Sequence, residues 1–298
     1  MPMFTADKLM KLFRKYRNSI QICAVCGVVS GFTQILGILM LAVMIIIRKP
    51  FVPLICTFIA DLIIWLISFS IVQSIKLCTF SESGFQRTKT GKKCCEILSA
   101  GGCSEKLISE LYALLSETKS QSERENILSL ISDSHRMMCD YKMAFETAMR
   151  LDPSSSKDPA GIYMQLLDLY TETGDLDSAD KIAYNIQGFM PAYEAYYNKY
   201  LSGAHCYAKY LKAKGFFPES LDLLSTVMRC FSDFGAVNAS MNQQIGLVNF
   251  DIGECLYFMG RYAEAMPHIS TAVNLLSGLP ARQKRAEDLR NAAVSAMQ

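Results

Sequence analysis

Two stretches near the N-terminus constrain this chain more than any other feature, because they carry almost no charge. Residues 19–47 contain no Asp, Glu, Lys or Arg, and residues 51–75 contain only Asp61. A helix needs about 20 consecutive apolar residues to cross the hydrocarbon core of a bilayer, and both stretches are longer. We therefore predict an N-terminal two-helix transmembrane hairpin, with helices at 19–47 and 51–75 and an extracytoplasmic turn at 48–50.

The basic residues beside these stretches predict their orientation, because cytoplasmic flanks carry the excess of Lys and Arg. Basic residues cluster before the first stretch and after the second, whereas only Arg48 and Lys49 lie between the two. The 11 cysteines lack the spacing of a disulfide framework, which favours reduced thiols in the cytosol. We therefore predict an integral membrane protein whose N- and C-termini are cytoplasmic, with a basic segment at 1–18 and a juxtamembrane linker at 76–103.

Small and polar residues recur along one side of each apolar stretch and predict the face by which the two helices pack. In lipid, helices associate through close packing, and small residues at Gly-x-x-x-Gly spacing favour it. We expect the same faces to support self-association of the hairpin. The residues predicted for this membrane packing are Gly27, Ser30, Gly31, Gln34, Gly37, Thr57, Asp61 and Ser68.

Asp61 lies near the middle of the second apolar stretch, where a carboxyl group is costly and is a candidate for function. One interpretation is a protonated or amide-bonded carboxyl that meets Gln34 or Thr33 and fixes helix packing or an oligomer contact. The alternative is a functional intramembrane site, for an ion, a proton or a membrane partner, that the rest of the chain regulates. The sequence leaves both interpretations open.

Beyond the linker, apolar residues recur at helical spacing, as at Leu107, Leu111 and Leu114. No segment alternates with the period of a strand over a convincing length. We therefore predict an all-α chain, with a helical domain at 104–280 and a polar-faced helix at 281–298 that caps it.

Helical hairpins repeat within this domain, with turn positions near Cys139, Gly174, Gly215 and Gly260. Small residues fall where the two helices of a hairpin would cross closely, and large ones fill the space between them. The clearest unit has Ile252, Gly253 and Leu256 before its turn, and Tyr262, Ala265, Ile269 and Ala272 after it. In this pattern the chain resembles the tetratricopeptide repeat (TPR) family, as a bacterial-type membrane-anchored TPR-domain protein. The intervals between the turns exceed the family period of about 34 residues.

The resemblance implies a TPR-like α-solenoid, in which stacked hairpins leave a concave groove. In the family this groove is lined by the first helix of each hairpin and holds a protein or peptide segment. The chain lacks the Lys and Asn pairs with which chaperone-binding relatives hold a C-terminal carboxylate. The groove residues that the resemblance implies are Asp133, Arg136, Asp168, Glu172, His205, Lys209, Lys212, Phe250, Glu254 and Tyr257.

The leading functional hypothesis is a membrane-tethered protein–protein interaction adaptor or assembly scaffold with a cytoplasmic groove. None of the three histidines lies in a metalloprotease or nucleophile-elbow motif, and no glycine-rich phosphate loop is present. We therefore expect no enzymatic activity, no cofactor and no metal. A net charge of +2 predicts no nucleic-acid partner. The expected partners are a protein segment, the lipid bilayer and, through the hairpin, a second copy of the chain.

Overall fold

All the regular structure that can be described in this chain is helical, as predicted. A computed structural model describes residues 3–47, 59–60, 62–68, 88–99, 104–195, 197–232 and 239–298, and no strand occurs in these ranges. Residues 59–60 and 62–68 are helical. The other helices are α1 (Ala6–Ile47), α2 (Lys89–Ser99), α3 (Glu105–Glu117), α4 (Gln121–Met137), α5 (Tyr141–Ala148), α6 (Pro159–Thr173), α7 (Leu176–Gln187), α8 (Met190–Glu194), α9 (Tyr197–Ala213), α10 (Phe217–Ser232), α11 (Ala239–Phe258), α12 (Tyr262–Leu275) and α13 (Pro280–Met297).

The chain divides into two compact units. One unit consists of Met1–Met10 with Glu82–Gln298, and the other of Lys11–Ser81. We call them the helical unit and the apolar unit.

The apolar unit contains most of α1, the helix that is long and apolar enough to cross a membrane. Among the described residues, the segment that meets this criterion by length and composition is Ala6–Met40. Its apolar side chains are largely exposed, for example Phe32 at 73% and Ile38 at 69%. Soluble monomers rarely expose a contiguous apolar surface of this extent. The second predicted helix, 51–75, is described only in part, so the two-helix hairpin stays a prediction.

The described positions of the predicted packing face of α1 differ in burial. A Cβ at Gly27 or at Gly31 would meet no described atom within 4 Å, and Gln34 is exposed. Gly37 and Ser68 are buried. Within the described residues, the Gly27 and Gly31 part of the face therefore has no intramolecular contact. The predicted residues outside the described ones are Thr57, Asp61 and the side chain of Ser30.

The helical unit is a row of helical hairpins. Helices α4 and α5 pack on each other, and so do α6 and α7, α9 and α10, and α11 and α12. The first helices of these hairpins also contact one another in order, α4 with α6, α6 with α9, and α9 with α11. The unit therefore has an inner layer of first helices and an outer layer of second helices.

The four predicted turn positions share one backbone conformation. Gly174, Gly215 and Gly260 have φ values of 80°, 83° and 73°, and Cys139 has φ of 62°. This left-handed region is open to glycine, whereas a side chain at such a position costs about 1–2 kcal/mol. The first hairpin therefore holds a strained cysteine where the other three hold glycine.

We expect Cys139→Gly to stabilise the helical unit. Glycine relieves the left-handed strain, but it also makes the unfolded chain more flexible, which lowers stability. The first effect is the larger, so the free energy of unfolding should rise by about 0.5–1 kcal/mol. Gly174→Ala is the matched opposite change, because a Cβ there meets open space and only the backbone is strained. The midpoint of denaturant unfolding of the full chain, followed by circular dichroism, should shift in opposite directions for the two variants. Destabilisation by Cys139→Gly would contradict the strain argument.

The buried core follows the predicted periodicity. Leu107, Leu111, Ile127 and Ile131 are at most 4% exposed and belong to one cluster shared by α2 to α6. A second cluster joins Leu247, Phe250, Ala272, Val273, Leu276, Leu279 and Ala286 to Met137 at the end of α4. Because Met137 belongs to the first hairpin and the other residues to the last hairpin and α13, the two ends of the row meet.

The predicted linker contains a helix. Residues 76–103 were expected to be exposed, yet α2 occupies Lys89–Ser99 within them and packs on α3 and α4. Cys94 is 1% exposed, and Ile97 packs beside it against the core. These two residues are three positions apart and share one helical face, a short apolar pattern among charged neighbours. Ser104, at the predicted start of the helical domain, is the N-cap of α3.

The N-terminal residues are built into the helical unit. The Phe4 ring lies 5.5, 5.0 and 5.6 Å from the rings of Tyr193, Tyr200 and Tyr207. The Tyr200 hydroxyl accepts a 3.1 Å hydrogen bond from the Thr5 backbone N–H. The beginning of the predicted basic segment 1–18 is therefore part of the folded unit, which a charge pattern alone does not indicate.

Candidate functional site

The inner layer of the helical unit encloses a concave cavity of about 690 Å³. Its described walls come from α4, α6, α9 and α11, and from the first turns of α13. Pockets that bind small ligands or short segments commonly have volumes of about 300–1,000 Å³. The cavity therefore has room for a few residues of a peptide or for a small molecule.

A buried ion-pair cluster forms one side of the cavity. On α6, Asp168 and Glu172 lie one helical turn apart and face the same way. The Arg136 guanidinium on α4 pairs with both, at 2.8 Å from the Asp168 carboxylate and 2.9 Å from that of Glu172. The Lys209 ammonium on α9 also pairs with both carboxylates. This first cluster therefore ties three inner helices together.

The cations set the ionisation of the first cluster. Burial alone would raise the pKa of Glu172, but Lys209, Arg136 and Arg282 hold it well below its ordinary value. Burial lowers and the neighbouring carboxylates raise the pKa of Arg136, and the net shift is well upward. Glu172 is therefore a carboxylate throughout the physiological pH range.

A second ion-pair cluster lies farther along the cavity, between α9 and α11. The Lys212 ammonium pairs with Asp251 and Glu254, and the His205 ring nitrogen Nε2 lies 2.9 Å from the Asp251 carboxylate. Burial would raise the pKa of Asp251, but Lys212 and His205 lower it. The Lys212 ammonium also lies 5.8 Å from the centre of the Phe250 ring. Asp251 is thus a buried anion with two partners.

The C-terminal helix contributes two arginines to the cavity. The Arg282 guanidinium donates to the Glu172 carboxylate and to the Arg136 carbonyl oxygen, at 2.5 and 2.7 Å. Arg285 donates to the Tyr141 hydroxyl and lies 5.4 Å from the centre of the Phe250 ring. Helix α13 covers nearly all of the segment 281–298, for which a cap was predicted, and it packs on the last hairpin. It also reaches the first hairpin through Arg282.

Two polar atoms of the cavity walls lack a hydrogen-bond partner. Arg282 Nε and Thr171 Oγ1 are buried, and no described residue accepts from or donates to them. Their side chains are 5% and 9% exposed. Buried polar groups are nearly always hydrogen-bonded. The cavity therefore holds bonding capacity that the described chain does not use.

Nine of the ten residues predicted for the groove line this one cavity. They are Asp133, Arg136, Asp168, Glu172, His205, Lys209, Lys212, Phe250 and Glu254. Tyr257 does not line it; its ring lies 5.5 Å from that of Phe258 and 5.4 Å from that of Tyr262, beside the last turn. Whether the nine residues bind a partner stays a prediction.

The sequence reasoning missed other residues of the cavity. Asp251 lies three positions before Glu254 on the same face of α11, so helical spacing could have identified it. Thr171 likewise follows Asp168 by three positions on α6. Arg282 and Arg285 gave no such signal, because their place depends on the return of α13 to the first hairpin.

The described walls of the cavity offer ion pairs and hydrogen bonds. Burial raises the pKa of the Cys206 thiol, which lines the cavity, so this cysteine is protonated and weakly nucleophilic at neutral pH. Among the residues that the structure describes, no group of three or more His, Cys, Asp or Glu is placed to hold a metal ion. The arrangement suits the binding of a charged or polar segment, whose groups would exchange with the existing ion pairs.

Comparison with protein-family models, with curated proteins and with solved structures gives no match.

Proposed function

We propose that this chain is a membrane-tethered adaptor that holds a segment of another protein in the cavity of its helical unit. The observation that carries the proposal is the convergence of charged side chains from four successive first helices on one cavity of about 690 Å³. A site that combines carboxylates, ammonium and guanidinium groups and an aromatic ring recognises polypeptide better than it recognises an apolar ligand.

The hairpin row supports a TPR-like α-solenoid as its architecture. The turns recur at left-handed positions, and small residues such as Ala179, Ala208 and Ala265 are fully buried at the predicted helix crossings. Hairpins of this kind cannot bury an apolar face alone, so they stack and leave a concave inner surface. In our proposal this inner surface is the partner site.

The exposed apolar length of α1 supports the membrane tether. An exposed stripe of valine, isoleucine, leucine and phenylalanine is stable in lipid and unstable in water. In our proposal, 19–47 and 51–75 form the two-helix hairpin, both chain ends lie in the cytoplasm and the helical unit meets its partner there. Resistance of the full chain to extraction from membranes at alkaline pH tests the tether separately.

Site-specific photo-crosslinking in intact cells tests the partner site. A photoreactive amino acid at Ser202 on α9 or at Gln244 on α11 faces the cavity. The same amino acid at Tyr184 on α7 is the control, because Tyr184 is 74% exposed and does not line the cavity. We expect a discrete crosslinked partner from the two cavity positions and none from position 184. Equal crosslinking from all three positions would contradict the proposal.

A further inference from the structure

The cavity is electrically balanced only because α13 takes part in it. Of the described residues that line it, six are carboxylates and six are Lys or Arg, and two of the six cations belong to α13. Without α13 the cavity would hold six carboxylates and four cations, a formal charge of −2 with His205 neutral. The carboxylates are Asp133, Asp158, Asp168, Glu172, Asp251 and Glu254, and the cations are Arg136, Lys199, Lys209, Lys212, Arg282 and Arg285.

Few apolar contacts hold α13 in place. The residues of α13 that are buried are Arg282, Ala286 and Ala293, with Leu289 partly buried. Burial of an alanine removes little apolar surface from water compared with burial of a leucine or a phenylalanine. Arg282, at 5% exposure, is therefore the main buried anchor of this helix.

Departure of α13 would leave no carboxylate of the first cluster without a cation. Glu172 pairs with Arg136 and Lys209 in addition to Arg282. Loss of a buried ion pair is most costly when it leaves a charge uncompensated, and here two cations remain. The Arg136 carbonyl, released by Arg282, would keep the 3.0 Å hydrogen bond that it accepts from the Cys139 backbone N–H.

The fit of α13 to the cavity is incomplete. Arg282 Nε is buried without an acceptor, and Thr171 Oγ1 on the facing wall also has no described partner. A buried donor without an acceptor costs free energy that a better-matched occupant would recover. The cavity is thus complementary to α13 in charge but not fully in hydrogen bonding.

We propose that α13 occupies the site of an external ligand, and that this ligand is a helical segment of another protein with two basic side chains one turn apart. The spacing is that of Arg282 and Arg285, and the rest of the contacting face is small, as at Ala286 and Ala293. This proposal rests on the adaptor function and adds the chemistry of its partner.

A labelled peptide of residues 280–298 is the probe, and full-length protein in detergent or nanodiscs is the receptor. We expect weak binding to the unaltered chain and about tenfold tighter binding to a chain with Arg282→Gln and Arg285→Gln, in which α13 competes less. The same two substitutions in the peptide should abolish its binding. The control is a peptide with Lys284→Gln and Arg290→Gln, which has the same net charge as the peptide with Arg282→Gln and Arg285→Gln. This control should bind almost as well as the unaltered peptide.

A second measurement does not depend on the folding of the altered chain. An isotope-labelled copy of the peptide, added in excess to the unaltered chain, should accelerate amide hydrogen exchange in α13 and leave exchange in α12 unchanged. The proposal would be overturned if the peptide bound equally well with and without the side chains of Arg282 and Arg285. So would a dimer of the altered chain that exchanges α13 between copies, because the occupant would then be a second copy.

The outcomes separate this inference from the adaptor function. A partner that crosslinks at Ser202 but is not displaced by the peptide keeps the adaptor function and overturns the basic helix as its ligand. Displacement of α13 by the peptide, without a cavity-specific crosslink in cells, supports the ligand chemistry and contradicts the adaptor function.

Discussion

Glu172→Gln should destabilise the helical unit by about 3–5 kcal/mol, because it removes the anion on which three buried cations converge. Arg136, Lys209 and Arg282 all pair with this carboxylate, whose side chain is 5% exposed. With a neutral amide at position 172, Asp168 would have to balance both Arg136 and Lys209. Arg282 would have no counterion. Denaturant unfolding of the full chain, followed by circular dichroism, measures the loss.

Glu264→Gln is the matched control for this substitution. Glu264 pairs with Arg261 three positions before it, and the Glu264 side chain is 59% exposed. Exposed pairs of this kind contribute about 0–1 kcal/mol. A loss at Glu172 no larger than the loss at Glu264 would show that the buried cluster contributes little to stability.

The pH dependence of stability gives the Glu172 prediction a second readout. The pKa of Glu172 in the folded state lies well below the value of about 4.3 that glutamate has in an unfolded chain. Its stabilising contribution is therefore complete above that ordinary value and is lost as the pH falls towards the folded-state pKa. Below about pH 5, stability should fall more steeply in the unaltered protein than in Glu172→Gln. If stability fell equally steeply with pH in the two proteins, the lowered pKa of Glu172 would be contradicted.

Ile269→Ala should cost about 2–5 kcal/mol, because it deletes most of a fully buried side chain from the last hairpin. Gly253 on α11 faces it so closely that a Cβ there would lie 2.6 Å from Ile269 Cγ1. Gly253→Ala alone should therefore also destabilise, by about 1–3 kcal/mol through overpacking. Thermal or denaturant unfolding of both single variants measures these effects.

The double variant makes this close approach testable. Alanine at position 269 lacks Cγ1, so the methyl group introduced at position 253 gains room. We expect the double variant to be more stable than the sum of the two single losses predicts, by about 1 kcal/mol or more. Gly253→Ala combined with Leu167→Ala is the control, because Leu167 is equally buried but lies on α6, and its effect should add. Simple additivity in both pairs would contradict the contact.

Local patterns predicted much of the helical unit. The four turn positions were identified from glycine placement and helical spacing, and all four adopt left-handed φ values. Alignment of the first helices then predicted which faces meet, and nine of ten residues line one cavity. Both features depend on interactions within a hairpin or between neighbouring hairpins, which sequence spacing reports directly.

Features that depend on distant parts of the chain were not predictable in this way. The return of α13 to the first hairpin and the contact of the Phe4 ring with tyrosine rings each join segments far apart in sequence. Periodicity identifies a helix and its apolar face, but it does not identify the surface that the face meets. The polar face of 281–298 predicts a capping helix, but it does not indicate that Arg282 is buried.

Contacts between segments far apart in sequence affect how the helical unit folds. In an open array each repeat touches only its neighbours, so folding can begin anywhere and spread, and partly folded arrays persist. Here a hydrogen bond joins Thr5 to Tyr200 across 195 positions, and another joins Arg282 to Arg136 across 146. Contacts of such long range slow folding and make unfolding more cooperative. During synthesis, moreover, the inner helices leave the ribosome before α13 does, which gives a partner present during translation access to them before α13 covers them.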